Sequence, residues 1–358
     1  MSKKIIVTLF ILTSMVSNYA VADVDLYILR TDWSATGERS LSIVHLNEQG
    51  TLLGAWAAPS SSNDVDRVTM LANNAYGTLR ASTDGSYLVF GGTDSLPGTT
   101  DRDVQVIGRF SVEDETFDLT TRSSTEPGLY RSVETHDGTE YWRHGNSNAD
   151  GIHHVLHGAS SSTNISDSGA AMDRTRIHEG VLYASRGASG IYDFGPLPKP
   201  GDPGLPLATN LLPGISGARD FFFFGTGTST VFLDTGTSST LQVAEWDPVD
   251  EEYVFLTGAN QTLPGIGVYA EFALSPFAKP TDEEITIFYT SDKTVENNAL
   301  WSVTWDTTAK TFGTPEKIAD AGDGYSFAGV VAIPEPGSMA LLIFAMAGVL
   351  GFRRLSRR

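Results

Sequence analysis

A pattern of four short β-forming runs recurs along the middle of this chain, and it limits the architectures open to it. The pattern is legible from Leu79, where the turn Asp84-Gly85 leads into Tyr87-Leu88-Val89-Phe90-Gly91-Gly92, then Val104 to Phe110, then Thr116 to Thr121. The same order starts again at Tyr130 (turn Asp137-Gly138), at Arg174 (turn Glu179-Gly180, then Val181 to Ser185), at Ala218 and at Tyr269. The spacing of about 40 to 55 residues is that of a four-stranded propeller blade. Helical periodicity is nearly absent between residues 23 and 333. Runs such as Asp25 to Arg30, Leu41 to Leu46, Leu241 to Trp246 and Ile285 to Tyr289 are instead β-branched and aromatic, bounded by Gly, Asp, Asn, Ser and Thr. The expected fold class is all-β.

Five such units fill residues 67 to 320. Residues 24 to 58 offer three strands, one fewer than a blade needs, and Tyr325 to Ile333 offers a strand without a blade. Pairing the two ends would complete a ring and remove the exposed sheet edges of an open array. The count is then about six blades, or seven if the long unit at 265 to 320 hides another; a pair of β-sandwiches is the structural alternative. Phe221-Phe222-Phe223-Phe224, apolar on both faces, is expected deep in a blade. The stretch Pro196 to Gly204, with four prolines, is expected to be an extended surface loop. Trp246 and Trp305, at similar third-strand positions, are expected to pack between blades.

Both ends carry export signals. Lys3 and Lys4 precede an apolar stretch from Ile5 to Val16, and Ala20-Val21-Ala22 offers the small-x-small pattern of signal peptidase, so residues 1–22 read as a signal peptide cleaved before Asp23. At the other end, Pro334-Glu335-Pro336 is followed by the uncharged apolar run 337–352 and the basic end 353–358, with Arg353, Arg354, Arg357 and Arg358. An apolar block in a bilayer must be helical to satisfy its own backbone. Its span of roughly 24 Å falls slightly short of the ~30 Å hydrocarbon core, a difference that snorkelling arginines cover. The arginines keep the tail cytoplasmic and the body, 23–333, outside. This tail resembles the PEP-CTERM sorting signal of Gram-negative bacteria. The resemblance covers residues 334–358 and implies processing by an exosortase near Pro334 to Pro336, with an inner-membrane intermediate that ends at the cell surface or outside the cell. It also implies association with exopolysaccharide and biofilm. The repeats and turns of the body resemble secreted bacterial β-propellers of unassigned activity, which bears on fold alone.

The whole chain carries a formal charge of −19 and no cysteine. Removing the two leader lysines and four tail arginines leaves 18 basic residues against 43 acidic ones, about −25. Such a surface repels nucleic acid and anionic membrane. Without disulfides the exported body must be held by its core.

Candidate chemistry concentrates in one segment. His136, His144, His153, His154 and His157 fall close together, but strand alternation puts His153 and His157 on one face and His154 on the other, and no strong zinc pattern accompanies them. Exposed strand histidines explain the same residues. Asn146, Asn148 and Asp150 place oxygens at alternate positions before the turn glycine Gly151, as in a calcium loop; His157 stands where a bidentate Glu belongs, so calcium is a weak candidate and a polar turn the alternative. Arg80, Arg131, Arg174 or Arg176, and Arg219 open inner strands and would form a positive spot at one channel mouth if the repeats align, suited to carboxylate or phosphate; independent structural arginines are the alternative. No catalytic residue, nucleophile elbow or phosphate-cradling loop is identified, and no cofactor beyond possible calcium. The leading reading is an exported, non-enzymatic binding or structural propeller. The runner-up is a secreted polysaccharide hydrolase or lyase with carboxylates or histidines at one mouth, and metal capture by segment 136–157 stands third. Clustering of His136, His144, His153 and Asp150 at one mouth would favour the second or third reading, and their scatter over outer strands the first.

Overall fold

The computed structural model describes residues 24–334 except 34–35, 72–76, 101–102, 125–129, 146–150, 167–171, 187–189, 203–208, 213–218, 226–228, 235–239, 265–270, 276–277, 279–280 and 292–294. Every regular element among the described residues is a β-strand. None of their segments is a helix long and apolar enough to cross a membrane. The leader with Ala20, Ala22 and Asp23, the apolar run 337–352, and Glu335, Pro336, Arg353, Arg354, Arg357 and Arg358 lie outside the described residues.

The repeats read from sequence appear as antiparallel sheets. The unit from Arg80 comprises Arg80–Ala81, Tyr87–Thr93, Gln105–Ser111 and Thr116–Ser123, paired in that order. The next comprises Tyr130–Thr135, Glu140–Gly145, Ile152–Leu156 and Thr163–Asn164, and the one after it Arg174–His178, Val181–Arg186, Gly190–Asp193 and Thr209–Asn210. The units from Asp220 and Glu271 each have an outer edge split between two short segments, Glu252–Phe255 with Gln261–Thr262 and Thr311–Phe312 with Glu316–Asp320. Turns between first and second strands place Gly85, Gly138 and Gly180 at φ of +73°, +80° and +77°, a region that side-chain-bearing residues enter at a steric cost.

The two ends of the body complete one sheet. Val24–Asp32 lies between Tyr325–Pro334 and Glu38–Asn47, and Leu52–Ala57 adds the outer edge. The register runs from Val24 opposite Pro334 to Asp32 opposite Tyr325, with one irregularity at Leu29/Arg30. The expected pairing of the ends is therefore present, and the C-terminal strand extends one residue further than expected, into Pro334. Thr69–Leu71, a strand not anticipated from sequence, pairs with Glu38–Asn47 and touches Thr93, joining the terminal sheet to its neighbour.

The first strands of the units meet in a cycle: Tyr325–Pro334 contacts Arg80–Ala81, which contacts Tyr130–Thr135, then Arg174–His178, Asp220–Phe224, Glu271–Leu274 and back to Tyr325–Pro334. This radial arrangement is propeller-like. Apolar clusters fill the seams between neighbouring sheets. Leu29, Ile43, Phe90 and Phe110 join the terminal sheet to the unit from Arg80, and Leu26, Val44, Phe288 and Leu300 join it to the unit from Glu271. At Gly329, on the closing strand, a Cβ would lie 2.7 Å from the Leu79 amide nitrogen, so the absence of a side chain lets the two strands approach.

The phenylalanine run forms a fully buried first strand, Asp220–Phe224. Its side chains alternate between two seams: Phe221 and Phe223 pack toward Tyr183, and Phe222 and Phe224 toward Phe272. Residues 196–202 of the proline-rich stretch form neither strand nor helix. The tryptophans differ. Trp305 is 1% exposed and meets Phe232 of the preceding unit edge-on at 5.6 Å, as expected, whereas Trp246 is 39% exposed and packs on Tyr253 of its own sheet. The expected inter-blade role of Trp246 is corrected: it lies one residue beyond the last rung with Thr230–Asp234, Thr230 opposite Glu245, whereas Trp305 still has Ile285 opposite it.

Candidate functional site

The first strands bring charged residues to the axis of the ring. Arg80, Asp220 and Glu271 each open their strand, Glu134 lies near the end of Tyr130–Thr135, and Arg174 and Arg176 lie two residues apart on Arg174–His178. All are buried except Arg176, which is half-buried. Arg80 Nη1 donates to Glu271 Oε2 at 2.8 Å, and Nη2 to Asp220 Oδ1 at 3.3 Å. Its Nε sits 2.8 Å from Glu134 Oε1, an ion-pair contact without the alignment of a hydrogen bond. Arg174 Nε donates to Glu271 Oε1 at 2.6 Å, and Arg176 Nη2 donates to Asp220 Oδ2 at 2.8 Å and to the Phe272 carbonyl at 2.7 Å. Asp220 Oδ2 also accepts the Phe272 amide at 3.0 Å.

Three guanidiniums and three carboxylates thus share one desolvated volume. Buried charges persist in such a place only when paired and hydrogen-bonded, because stripping their water otherwise costs more than the fold can supply. Burial pulls the Arg80 guanidinium down, and Glu271, Asp220 and Glu134 more than reverse it, so Arg80 stays charged. Burial pushes Glu134 up to about 7, against the opposing pull of Arg80 and Arg176. The arginines do gather, as the aligned-repeat expectation has it. The expected positive spot is corrected for Arg80, Arg174 and Arg176: carboxylates from other units neutralise them.

Arg131 and Arg219 form a second, wetter cluster. Both donate to Asp173 Oδ1 at 3.1 Å, with side chains 21% and 26% exposed. His144 is buried beside it, with Nδ1 2.7 Å from the Gly145 carbonyl, and burial lowers its pKa to about 4.

The other histidines are dispersed. His136 Nδ1 lies 3.0 Å from Thr83 Oγ1, His153 Nδ1 2.6 Å from Ser162 Oγ, and His154 Nε2 2.8 Å from Glu140 Oε2. His157 bridges Asp118 at 3.1 Å and Tyr141 at 2.9 Å. The expectation of exposed strand histidines is corrected for His144 and His154, which are buried. Among the described residues no group of three or more His, Asp or Glu is placed to hold a metal ion. The calcium candidates Asn146, Asn148 and Asp150 lie outside the described residues.

Sequence reasoning missed Glu134, Asp173, Asp220 and Glu271. A signal did exist for two of them: Asp220 and Glu271 occupy the strand-opening position that Arg80 and Arg174 hold in other units.

No family model matches the chain, and no curated protein matches it. Among solved structures it is similar to a candidate 6-phosphogluconolactonase from Bacteroides fragilis, at 14% identity over 85% of this chain and 83% of that one, with a TM-score of 0.49. A chain of a nidogen/laminin complex aligns at 13% identity over 86% and 98%, TM-score 0.48. The periplasmic gluconolactonase of Pseudomonas aeruginosa aligns at 12% identity over 83% and 82%, TM-score 0.47.

Proposed function

We propose that this chain is an exported propeller of six blades that acts by binding at its surface, without turnover, at the cell surface or in the extracellular matrix. The observation that carries this reading is the axial ion network. The charged residues that face the axis satisfy one another across units, so they serve to lock the ring and are committed before any ligand arrives. The cycle of first strands and the apolar seam between each neighbouring pair support the count of six. His136, His144 and His153 have separate partners in Thr83, the Gly145 carbonyl and Ser162 instead of meeting one another, which supports binding over hydrolysis. Export rests on the leader, and processing by signal peptidase and an exosortase on the tail, with extracellular polysaccharide as the partner class that the tail implies. Incubation of residues 23–334 with a glycan array, with products monitored by mass, tests the reading. Binding without products is the expected result, and released oligosaccharide would replace it with the hydrolase or lyase.

A further inference from the structure

One cleft is remote from the axis. It measures about 340 Å³ and lies against the outer strand of the unit from Arg80. Thr116, Phe117, Asp118 and Thr120 of that strand form its floor, Tyr87 and Arg109 of the inner strands its side, and Pro59 and Asp66 come from the segment leaving the terminal sheet. The volume is within the roughly 300–1,000 Å³ usual for small-molecule clefts.

Its polar groups are held in place. Asp118 Oδ1 accepts the Thr120 amide at 3.0 Å and the Thr120 hydroxyl at 2.7 Å, and its Oδ2 faces Arg109 Nη2 at 3.0 Å and His157 Nε2 at 3.1 Å. Burial raises the Asp118 carboxyl, but the Thr120 hydroxyl and amide, His157 and Arg109 outweigh it and hold it below the usual range. Arg109 is in turn fixed by the Gly138 carbonyl at 3.0 Å and by the Tyr87 ring, 4.7 Å from its centroid. Asp114, exposed at the rim, accepts the Ser111 hydroxyl at 2.9 Å. Asp66 meets Arg122 at 2.9 Å.

We propose that this cleft is a saccharide subsite for hydroxyl-rich units that are uncharged or carry an amine. The proposal rests on the binding reading above and deepens it by naming a place and a ligand class. Asp118 is taken up in holding Arg109 and Thr120, so Asp114 and Asp66 supply the lone pairs that accept from a ligand's hydroxyls, and Arg109 donates to ring and hydroxyl oxygens. The Thr116 hydroxyl can do both, whereas those of Thr120 and Ser111, which donate to Asp118 and Asp114, are left to accept. Phe117 and Pro59, both partly exposed, give an apolar wall for the C–H face of a sugar ring. Asp118 is paired with Arg109 and Asp66 with Arg122, so the exposed Asp114 at the rim and the acidic chain, −19 overall, set the sign of the specificity: uronate and phosphate groups are repelled, and an ammonium is drawn in.

The test uses the full chain and an array of neutral, amine-bearing and uronate-bearing oligosaccharides. Thr116→Trp fills the cleft from an exposed strand position, Asp114→Ala removes an acceptor at the rim, and Glu252→Ala on a distant outer strand is the control. The wild type is expected to retain neutral or amine-bearing glycans. Asp114→Ala and Thr116→Trp should each weaken retention at least about tenfold, the loss that follows from one charge-assisted hydrogen bond or from blocked access, while the control binds like wild type and all melt alike. If either cleft variant unfolds, the other decides. Glycan binding that survives both variants overturns the cleft and leaves surface binding standing. Preference for uronates overturns the charge argument and with it the proposal, and a wild type that retains no glycan overturns the proposal together with the polysaccharide partner.

Discussion

Arg80 and Glu271 lie 191 residues apart in the chain and 2.8 Å apart across the axis. Their strands are not neighbours in the ring, since Tyr325–Pro334 stands between Arg80–Ala81 and Glu271–Leu274. The contact therefore ties units together over the head of the closing strand, and Asp220 and Glu134 extend it to two more units.

Removing the arginine alone should be costly. Arg80→Met leaves the buried Glu134, Asp220 and Glu271 with fewer counter-charges, and breaking a buried pair from one side typically costs about 3–5 kcal/mol. Equilibrium denaturation in urea measures it. A loss below about 1 kcal/mol would show that the network is hydrated and that its charges are not dependent on Arg80.

The pH dependence of stability contains two opposed contributions. Glu134 has a folded pKa of about 7, above the ordinary 4.5, so its contribution is fully present below pH 4.5 and is lost as pH rises through 7. His144 has a folded pKa of about 4, below the ordinary 6.5, so its contribution is present above pH 6.5 and is lost as pH falls through 4. Between those ordinary values the two slopes oppose each other. Glu134→Gln should therefore make stability climb more steeply with pH in that window, and His144→Asn should make it climb less. Denaturation midpoints taken at several pH values read the slopes, independent of any constant offset from the substitution.

The two third-strand tryptophans should separate cleanly. Trp305→Ala empties a fully buried seam, and truncations of this kind cost about 3–5 kcal/mol. Trp246→Ala removes a ring that is already 39% exposed and should cost far less. Thermal melts of the two variants, side by side, check the difference; equal losses would contradict the seam assignment of Trp305.

Deletion of Tyr325–Pro334 should destabilise the whole ring. It exposes one edge of Val24–Asp32 and removes Phe327, Val330 and Val331 from the seams on either side. A chain ending at Gly324 is expected to melt well below the longer chain, and a matching melt would show that closure adds nothing.

The sheets were readable because each strand announces itself locally, through a β-branched run and a turn glycine such as Gly85 or Gly138. Closure was readable by subtraction, from a three-strand beginning and an orphan strand at the end. The axial site was only half readable. Arg80 and Arg174 stand out as cations opening apolar strands, but their partners come from strands up to 191 residues away, and no local pattern reports which side chain will face the axis. Trp246 and Trp305 are equivalent by position along their strands; what separates them is the preceding strand, which ends opposite Glu245 in one sheet and reaches past Trp305 in the other. His144 and His154 gave no sign of burial, because that depends on the neighbouring sheet rather than on the alternation of their own strand.

The pairing of Val24 with Pro334 has a mechanical consequence. Both ends of the body leave from the same rung of one antiparallel pair, so a load applied between them opens that pair like a zipper, one rung at a time, instead of shearing all its hydrogen bonds at once. The strand that would bear a pull from a C-terminal tether is also the latch of the ring, and its resistance is set by the few rungs between Pro334 and the irregularity at Leu29/Arg30.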